Sequence, residues 1–361
     1  MKFLVLVTDA YGGTGGIAQY CRDFISALAS YPATDGITVI PRVIARDIHP
    51  VPANVVHIPR AAGSKARFIS QAMREIRDNR FDWIVCGHAN LLPVAWAASR
   101  ISGAPLLLLT YGIEVWDPKG HAFRYFLSRS RAIVSISTFT IGRMREWAPS
   151  TLEFLLLPNA VDLSAYTPGE PNAALRMRLG IENSRVLLTL GRMEASEQAK
   201  GFDEILETLP RLLELFPDLV YIAAGDGSDR KRLEAKAADL GLGGHVRFPG
   251  YVPESEKLDY YRLADVFAMP SRLEGFGYVF LEALAAGVPV VASSVDGSRE
   301  AVREGRWGIL VDPAKPEEVF QGISSALLSP FVPSRTELDF FSWEAFEGRC
   351  HQLLDRVSIT K

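Results

Sequence analysis

Two glutamates eight positions apart, Glu274 and Glu282, bound the run GFGYVFL within EGFGYVFLEALAAGVPVVAS. Carboxylates at such spacing can share acid–base chemistry, ligate a metal, or do no more than cap and solvate a helix. The strand-like VFAMPS upstream places Glu274 on a loop and Glu282 inside the helix that follows. The glycines between them allow the N–H groups around Phe276, Gly277 and Tyr278 to approach an anion at that helix N-terminus.

Other residues suit the same kind of ligand. In LGRMEASEQAKGFDEIL, Arg192 leaves a strand end and Lys200 precedes a helix expected to begin near Gly201-Phe202. A guanidinium fork beside a point-charge ammonium suits a diphosphate, although each cation alone is equally a surface charge. YGGTGGIAQY (11–20) precedes the amphipathic CRDFISALA, so its amides could cradle a phosphate. Gly13, Gly15 and Ala18 loosely satisfy a dinucleotide fingerprint, but the strand FLVLV ends at Val7, too far upstream for a Rossmann turn. A phosphate cradle is therefore preferred to a nicotinamide site, with a plain flexible loop as the alternative. Asp226 and Asp229 in AAGDGSDRKRLE lack a third ligand nearby and are read as turn chemistry. There is no HExxH, Cys/His metal set or Gly-x-Ser-x-Gly elbow.

These residues need a frame. At 361 residues the chain exceeds one ordinary core, and short apolar runs alternate with helical segments. Strands are expected at 3–7, 37–44, 83–87, 105–112 and 132–137, and again at 185–192, 219–225, 245–250, 266–271, 289–293 and 308–312. Helices are expected at Ala173–Leu179, Phe202–Phe216 and Arg230–Leu240. The pattern is α/β: two Rossmann-like, doubly wound domains in series, facing a central cleft. The Pro- and Asn-rich join near 160–184 divides residues 1–165 from 166–340. The segment FSWEAFEGRCHQLLDRV is a further helix that spacing alone assigns to neither domain.

Composition narrows the class. With 48% apolar and 22% charged residues the chain is an ordinary globular protein. Cys21, Cys86 and Cys350 form no disulfide framework, MKFLVLVT is too short for a signal peptide, and no apolar run reaches membrane-spanning length. A cytoplasmic protein is expected. Residues 1–165 carry 17 Lys/Arg against 12 Asp/Glu, whereas the remainder carries 22 against 30. The basic first half suggests an anionic partner. In GSKARFISQAMREIRDNRFDW, Lys65, Arg67, Arg74, Arg77 and Arg80 punctuate a helical pattern of Phe68, Ile69, Met73 and Ile76. Two readings stay open: a membrane-surface helix, or a solvated helix whose stripe lies on its own core.

Taken in order, the pieces resemble the retaining glycosyltransferases of family 4, with the GT-B fold, such as bacterial polysaccharide glycosyl- and mannosyltransferases. The matching features are Gly15-Gly16, Ser137, PNAVD (158–162), Gly191-Arg192, Lys200-Gly201, GDGSDRKRLE, GYVPESEKLDYYRLADVFAMPS, Glu274-x7-Glu282, AAGVPVVAS, Glu300 and GILVDP. They extend over nearly the whole chain.

The resemblance implies transfer of a hexose from a UDP- or GDP-sugar to a glycan or lipid-linked acceptor, with retention, no metal and no cofactor. It implies that Arg192 and Lys200 bind the diphosphate and that Glu274 acts with them at the transferred sugar. Donor contacts would come from Gly15, Gly16, Val252, Gly275, Phe276, Gly277 and Tyr278, with Glu282 at the ribose. It also implies a final helix, about 341–361, that returns to the first domain. Contact with the inner face of an anionic membrane is compatible with this picture, and nucleic acid is not an expected partner. The chain departs from the family where many relatives carry a histidine: it reads LLTYGIEVWD, with Tyr111 there as a candidate sugar contact. His88 and Glu114 are weaker candidates for sugar or acceptor contact.

Overall fold

The computed structural model describes residues 1–13, 15–45 and 49–359. The chain divides into two units, Met1–Ala160 with Glu344–Lys361, and Val161–Trp343.

The first unit holds β1 (Lys2–Val7), β2 (Gly36–Pro41), β3 (Val55–His57), β4 (Trp83–Cys86), β5 (Leu106–Thr110), β6 (Ala132–Ser135) and β7 (Phe154–Leu156). All pair in parallel in the order β3-β2-β1-β4-β5-β6-β7. The runs FLVLV, WIVC and LLLL are buried throughout because crossover helices cover both faces of a parallel sheet. β3 and β7 escape the sequence reading. Each has three residues with only one of them fully buried, too little to generate an apolar run.

The second unit holds β8 (Arg185–Leu190), β9 (Leu219–Ala224), β10 (Val246–Gly250), β11 (Val266–Met269), β12 (Val290–Ser293) and β13 (Ile309–Val311). They too are parallel, in the order β10-β9-β8-β11-β12-β13. The helices Phe202–Leu215 and Arg230–Asp239 each stop one residue short of expectation. Ala173–Leu179 forms as read, capped by the Asn172 side chain and closed by left-handed Gly180.

In the helix Lys65–Asp78, Ser64 accepts the Arg67 N–H at 3.1 Å. Phe68, Ala72 and Ile76 lie in the unit's own core, while Ile69 remains exposed among the basic positions. The final helix, Trp343–Ile359, belongs to the first unit from Glu344 onward. Phe346 meets Tyr20 edge to face with centroids 5.8 Å apart, and the Tyr31 hydroxyl donates to Asp355 at 2.6 Å. No described helix is long and apolar enough to cross a membrane.

Candidate functional site

In each sheet the strand order reverses once, between β1 and β4 in the first unit and between β8 and β11 in the second. Ligands of doubly wound sheets bind outside the carboxyl ends of the strands at such reversals. The sequence-selected residues concentrate there.

In the second unit, the segment after β8 is pinned to the turn after β9. Gly191 N–H donates to Ala224 O and Met193 N–H to Asp226 O, both at 3.0 Å. Arg192 projects from this segment, largely exposed, with its guanidinium 3.6 Å from the Glu197 carboxylate. Arg192 and Lys200 line one shallow depression, together with Gln198 and Asp229. Lys200 Nζ contacts Glu274 Oε2 at 2.7 Å, with side chains only 17% and 19% exposed. This ion pair joins the loop after β8 to the loop after β11.

Asp296, which no motif of the sequence marks, shapes the Glu274 loop. Its Oδ2 accepts from the Ser271 hydroxyl at 2.6 Å and from Glu274 N–H at 2.9 Å. Its Oδ1 accepts from the Ser298 hydroxyl at 2.6 Å and the Ser298 N–H at 3.0 Å. Burial nevertheless raises its pKa, because four donors only partly replace water. The next residue must be glycine: a Cβ on Gly297 would lie 2.1 Å from the Gly275 carbonyl oxygen. Phe276 is fully buried, edge to face with Phe341 at 5.5 Å, and Gly277 (φ 91°) turns the chain into the helix Tyr278–Ala285.

Glu282 lies in the second turn of that helix and is 6% exposed. Tyr261 donates to its Oε2 at 2.7 Å, and Lys257 approaches Oε1 at 3.5 Å while contacting Glu254 at 2.9 Å. Burial alone would lower the Lys257 pKa, but Glu282 and Glu254 outweigh it and raise it. The sequence placed the two glutamates on one segment, and the structure gives each its own lysine. Lys257 and Tyr261 were not foreseen, since their spacing in ESEKLDYYRL reads only as a helix with a polar face. Val252 is buried just beyond β10.

Asp226 and Asp229 serve their turn and the adjoining helix. Asp226 Oδ1 accepts the Gly227 N–H at 2.8 Å, and Asp229 binds Arg232 at 2.7 Å. Among the described residues no group of three or more His, Cys, Asp or Glu is placed to hold a metal ion.

In the first unit, Gly15 (φ 93°) ends the glycine loop and Gly16 opens the helix Gly16–Ser30, which has no side-chain cap. Arg22 reaches back to the carbonyls of Ala10 at 2.5 Å and Gly13 at 3.0 Å, fixing the loop. His88 follows β4. Tyr111 and Glu114, two candidates for sugar or acceptor contact, are each tied to neighbouring groups. Tyr111 is turned inward. It is 6% exposed, and its hydroxyl donates to Gly87 O at 2.8 Å and contacts Cys21 Sγ at 3.2 Å, because the ring packs into the core beside Tyr20. Glu114 serves its own turn, its Oε1 accepting the Tyr111 N–H at 2.6 Å. Burial raises the Glu114 pKa against that bond.

The folds of solved glycosyltransferases match over the full length. HepE from Anabaena in complex with UDP and glucose superposes with a TM-score of 0.75 at 20% identity, covering 99% of this chain and 100% of that one. Sucrose-phosphate synthase from Thermosynechococcus elongatus gives 0.77 at 21% identity, covering both chains fully. The architecture is thus GT-B, two parallel α/β units in series.

Residues 173–339 match the model of the glycosyl transferases group 1. It is 28% identical, over 97% of each chain, to the GDP-mannose-dependent alpha-(1-6)-phosphatidylinositol monomannoside mannosyltransferase of Mycolicibacterium smegmatis. It is 39% identical to a D-inositol 3-phosphate glycosyltransferase of Geodermatophilus obscurus, over 53% of this chain and 44% of the relative.

Proposed function

We propose that the protein transfers a hexose, with retention of anomeric configuration, from a nucleoside-diphosphate sugar to a glycan or lipid-linked saccharide acceptor. The bond from the sugar's anomeric carbon to the diphosphate breaks and a bond to the acceptor oxygen forms. The acceptor's hydroxyl proton leaves with the nucleoside diphosphate. The observation that carries this reading is the Lys200–Glu274 pair at the β8–β11 reversal, inside the segment matched by the family model.

Lys200 and Arg192 stabilise charge on the departing diphosphate, a role suited to fixed cations in a partly desolvated site. Glu274 and the amides of Gly275, Phe276, Gly277 and Tyr278 hold the transferred sugar and its phosphate. Gly15 and Gly16 present helix amides to phosphate. A ribose hydroxyl replaces the long 3.5 Å Lys257 contact on Glu282, and Val252 borders the base. The chemistry calls for no metal and no cofactor. The GDP-mannose named for the Mycolicibacterium relative and the UDP bound in HepE leave both bases open, and the phosphatidylinositol and inositol acceptors of the relatives favour a polyol or glycolipid here.

A panel of UDP-, GDP- and ADP-sugars, assayed in chelator for thermal stabilisation and product release, tests the proposal. Stabilisation and transfer with one donor are expected. If no nucleoside diphosphate stabilises the protein, the donor site is refuted. Binding without transfer or hydrolysis indicates a binding protein that has lost catalysis.

Peripheral contact with the inner face of an anionic membrane is part of the same proposal. The helix Lys65–Asp78 presents Lys65, Arg67 and Arg74 outward around exposed Ile69. Neutralising these three cations should lower co-sedimentation with anionic liposomes, and unchanged binding removes the membrane from the proposal.

A further inference from the structure

The end of β4 is locked to the end of β1. Gly87 N–H donates to Leu6 O at 2.7 Å, and a Cβ on Gly87 would lie 2.8 Å from Val7 Cγ1 and 3.0 Å from that same carbonyl oxygen. The next residue, His88, therefore stands at the strand reversal of the first unit, one strand from the one that feeds the glycine loop.

Its imidazole is only 9% exposed, and Nδ1 accepts the Asn90 N–H at 3.1 Å. A backbone N–H can only donate, so Nδ1 bears the lone pair and the proton of the neutral ring sits on Nε2. Burial lowers the His88 pKa, with no carboxylate opposing it, which keeps the ring neutral. The Tyr111 ring stacks on it at 6.3 Å and 29°, and the Cys86 thiol donates to the His88 backbone carbonyl at 3.2 Å. The Nε2 has no hydrogen-bond partner among the described residues and is not one of the sealed, unpartnered polar atoms. A neutral donor on a nine-tenths-buried ring, open at one atom, calls for a neutral oxygen.

We infer that His88 donates its Nε2–H to a hydroxyl oxygen of a sugar or polyol, and that Tyr111 positions it by stacking on the ring and holding the Gly87 carbonyl. The inference rests on the glycosyl-transfer reading and adds a residue to it. Tyr111 thus serves the site from behind. The oxygen belongs either to the acceptor or to the sugar in transit, and the assays below separate the two.

His88→Asn and His88→Gln split the functions of the ring. Asparagine retains an acceptor for the Asn90 N–H but lacks a donor at the Nε2 position. Glutamine places an amide nitrogen there. With melting temperatures near wild type, His88→Asn should lose about tenfold or more in transfer kcat/KM and His88→Gln should restore most of it. If hydrolysis of the donor without acceptor is unchanged in His88→Asn, the oxygen is the acceptor's; if it falls in parallel, the oxygen is on the transferred sugar. Tyr111→Phe should reduce kcat/KM a few-fold and shift the His88 Nε2 resonance.

Nitrogen–proton correlation spectra of the wild type near pH 7 should show a neutral ring protonated at Nε2. A ring protonated at Nδ1, or an imidazolium, overturns the inference. So does equal loss in both substitutions, or loss in neither. Should the wild type act on no donor at all, the catalytic reading fails on its own, while the spectra still decide the donor state of His88.

Discussion

The two units share a parallel, doubly wound sheet with a single reversal, yet they furnish that reversal with opposite chemistry. At β8–β11 charged side chains face one another: Lys200 with Glu274, Arg192 with Glu197, and Lys257 with Glu282. At β1–β4 the charges serve the backbone, Arg22 binding loop carbonyls and Asp9 accepting the Ala10 N–H, and the strand end beside them carries a buried histidine whose Nδ1 accepts the Asn90 N–H. Bulk charge pointed the other way, since the first half of the chain is basic and the second acidic. Net charge describes a unit's whole surface, whereas the site depends on which few charges the strand ends bring together. A fold of this kind specifies a place for chemistry, and the loops decide what chemistry occurs there.

The largest expected effect breaks this contrast on the charged side. Lys200→Ala removes a desolvated cation and leaves the Glu274 carboxylate without its lysine, so kcat should fall about a hundredfold and binding of nucleoside diphosphate should weaken. Arg192→Ala should cost about tenfold, less because Arg192 is mostly exposed and its field is screened. Steady-state kinetics with the donor identified by the panel measure both. Near-wild-type turnover in both would place the diphosphate elsewhere.

A mid-sized effect concerns a residue that the sequence does not advertise. Asp296→Ala strands the Glu274 and Ser298 N–H groups and two serine hydroxyls, which should destabilise the second unit by about 2–4 kcal/mol and lower turnover as the Glu274 loop relaxes. Denaturant unfolding read beside kcat checks it, and full activity with a lowered melting temperature would show that Asp296 stabilises the unit without shaping the site. The strands were legible in the sequence because buried parallel strands write continuous apolar runs such as RVLLTL and LVYIAA. Arg192, Lys200 and Glu274 stand out as candidates in the sequence because glycines mark the turns around them. Asp296 was hidden because its four donors lie at Ser271, Glu274 and Ser298, an arrangement created by two loops meeting. Tyr111 became a candidate only because it stands where the resembled family carries a histidine, and its inward packing against Tyr20 and Cys21 leaves no mark in the sequence.

The smallest effect sharpens the comparison by asking whether the ionic side of the molecule is also its acid-sensitive side. Arg232 binds Asp203 at 2.6 Å and Asp229 at 2.7 Å, and Lys236 binds Asp203 at 2.6 Å, tying the helix Phe202–Leu215 to the helix Arg230–Asp239. The Arg232 hydrogen bonds hold the Asp203 pKa below its ordinary 3.8 despite partial burial. A carboxyl whose pKa is lower in the folded state contributes its stability fully above the unfolded value, and that contribution disappears as the pH falls through the folded one. The network should therefore matter at neutral pH and cease to matter between about pH 4 and its lower folded pKa. Asp203→Asn should destabilise the protein by about 1 kcal/mol near pH 7, a modest figure because Arg232 is partly solvated, and by nearly nothing in strong acid. Unfolding free energies of the two proteins compared across that range should converge on the acid side. A constant difference at every pH would mean that Asp203 contributes through packing, and that the charges grouped around the β8 loop are organised for the ligand alone.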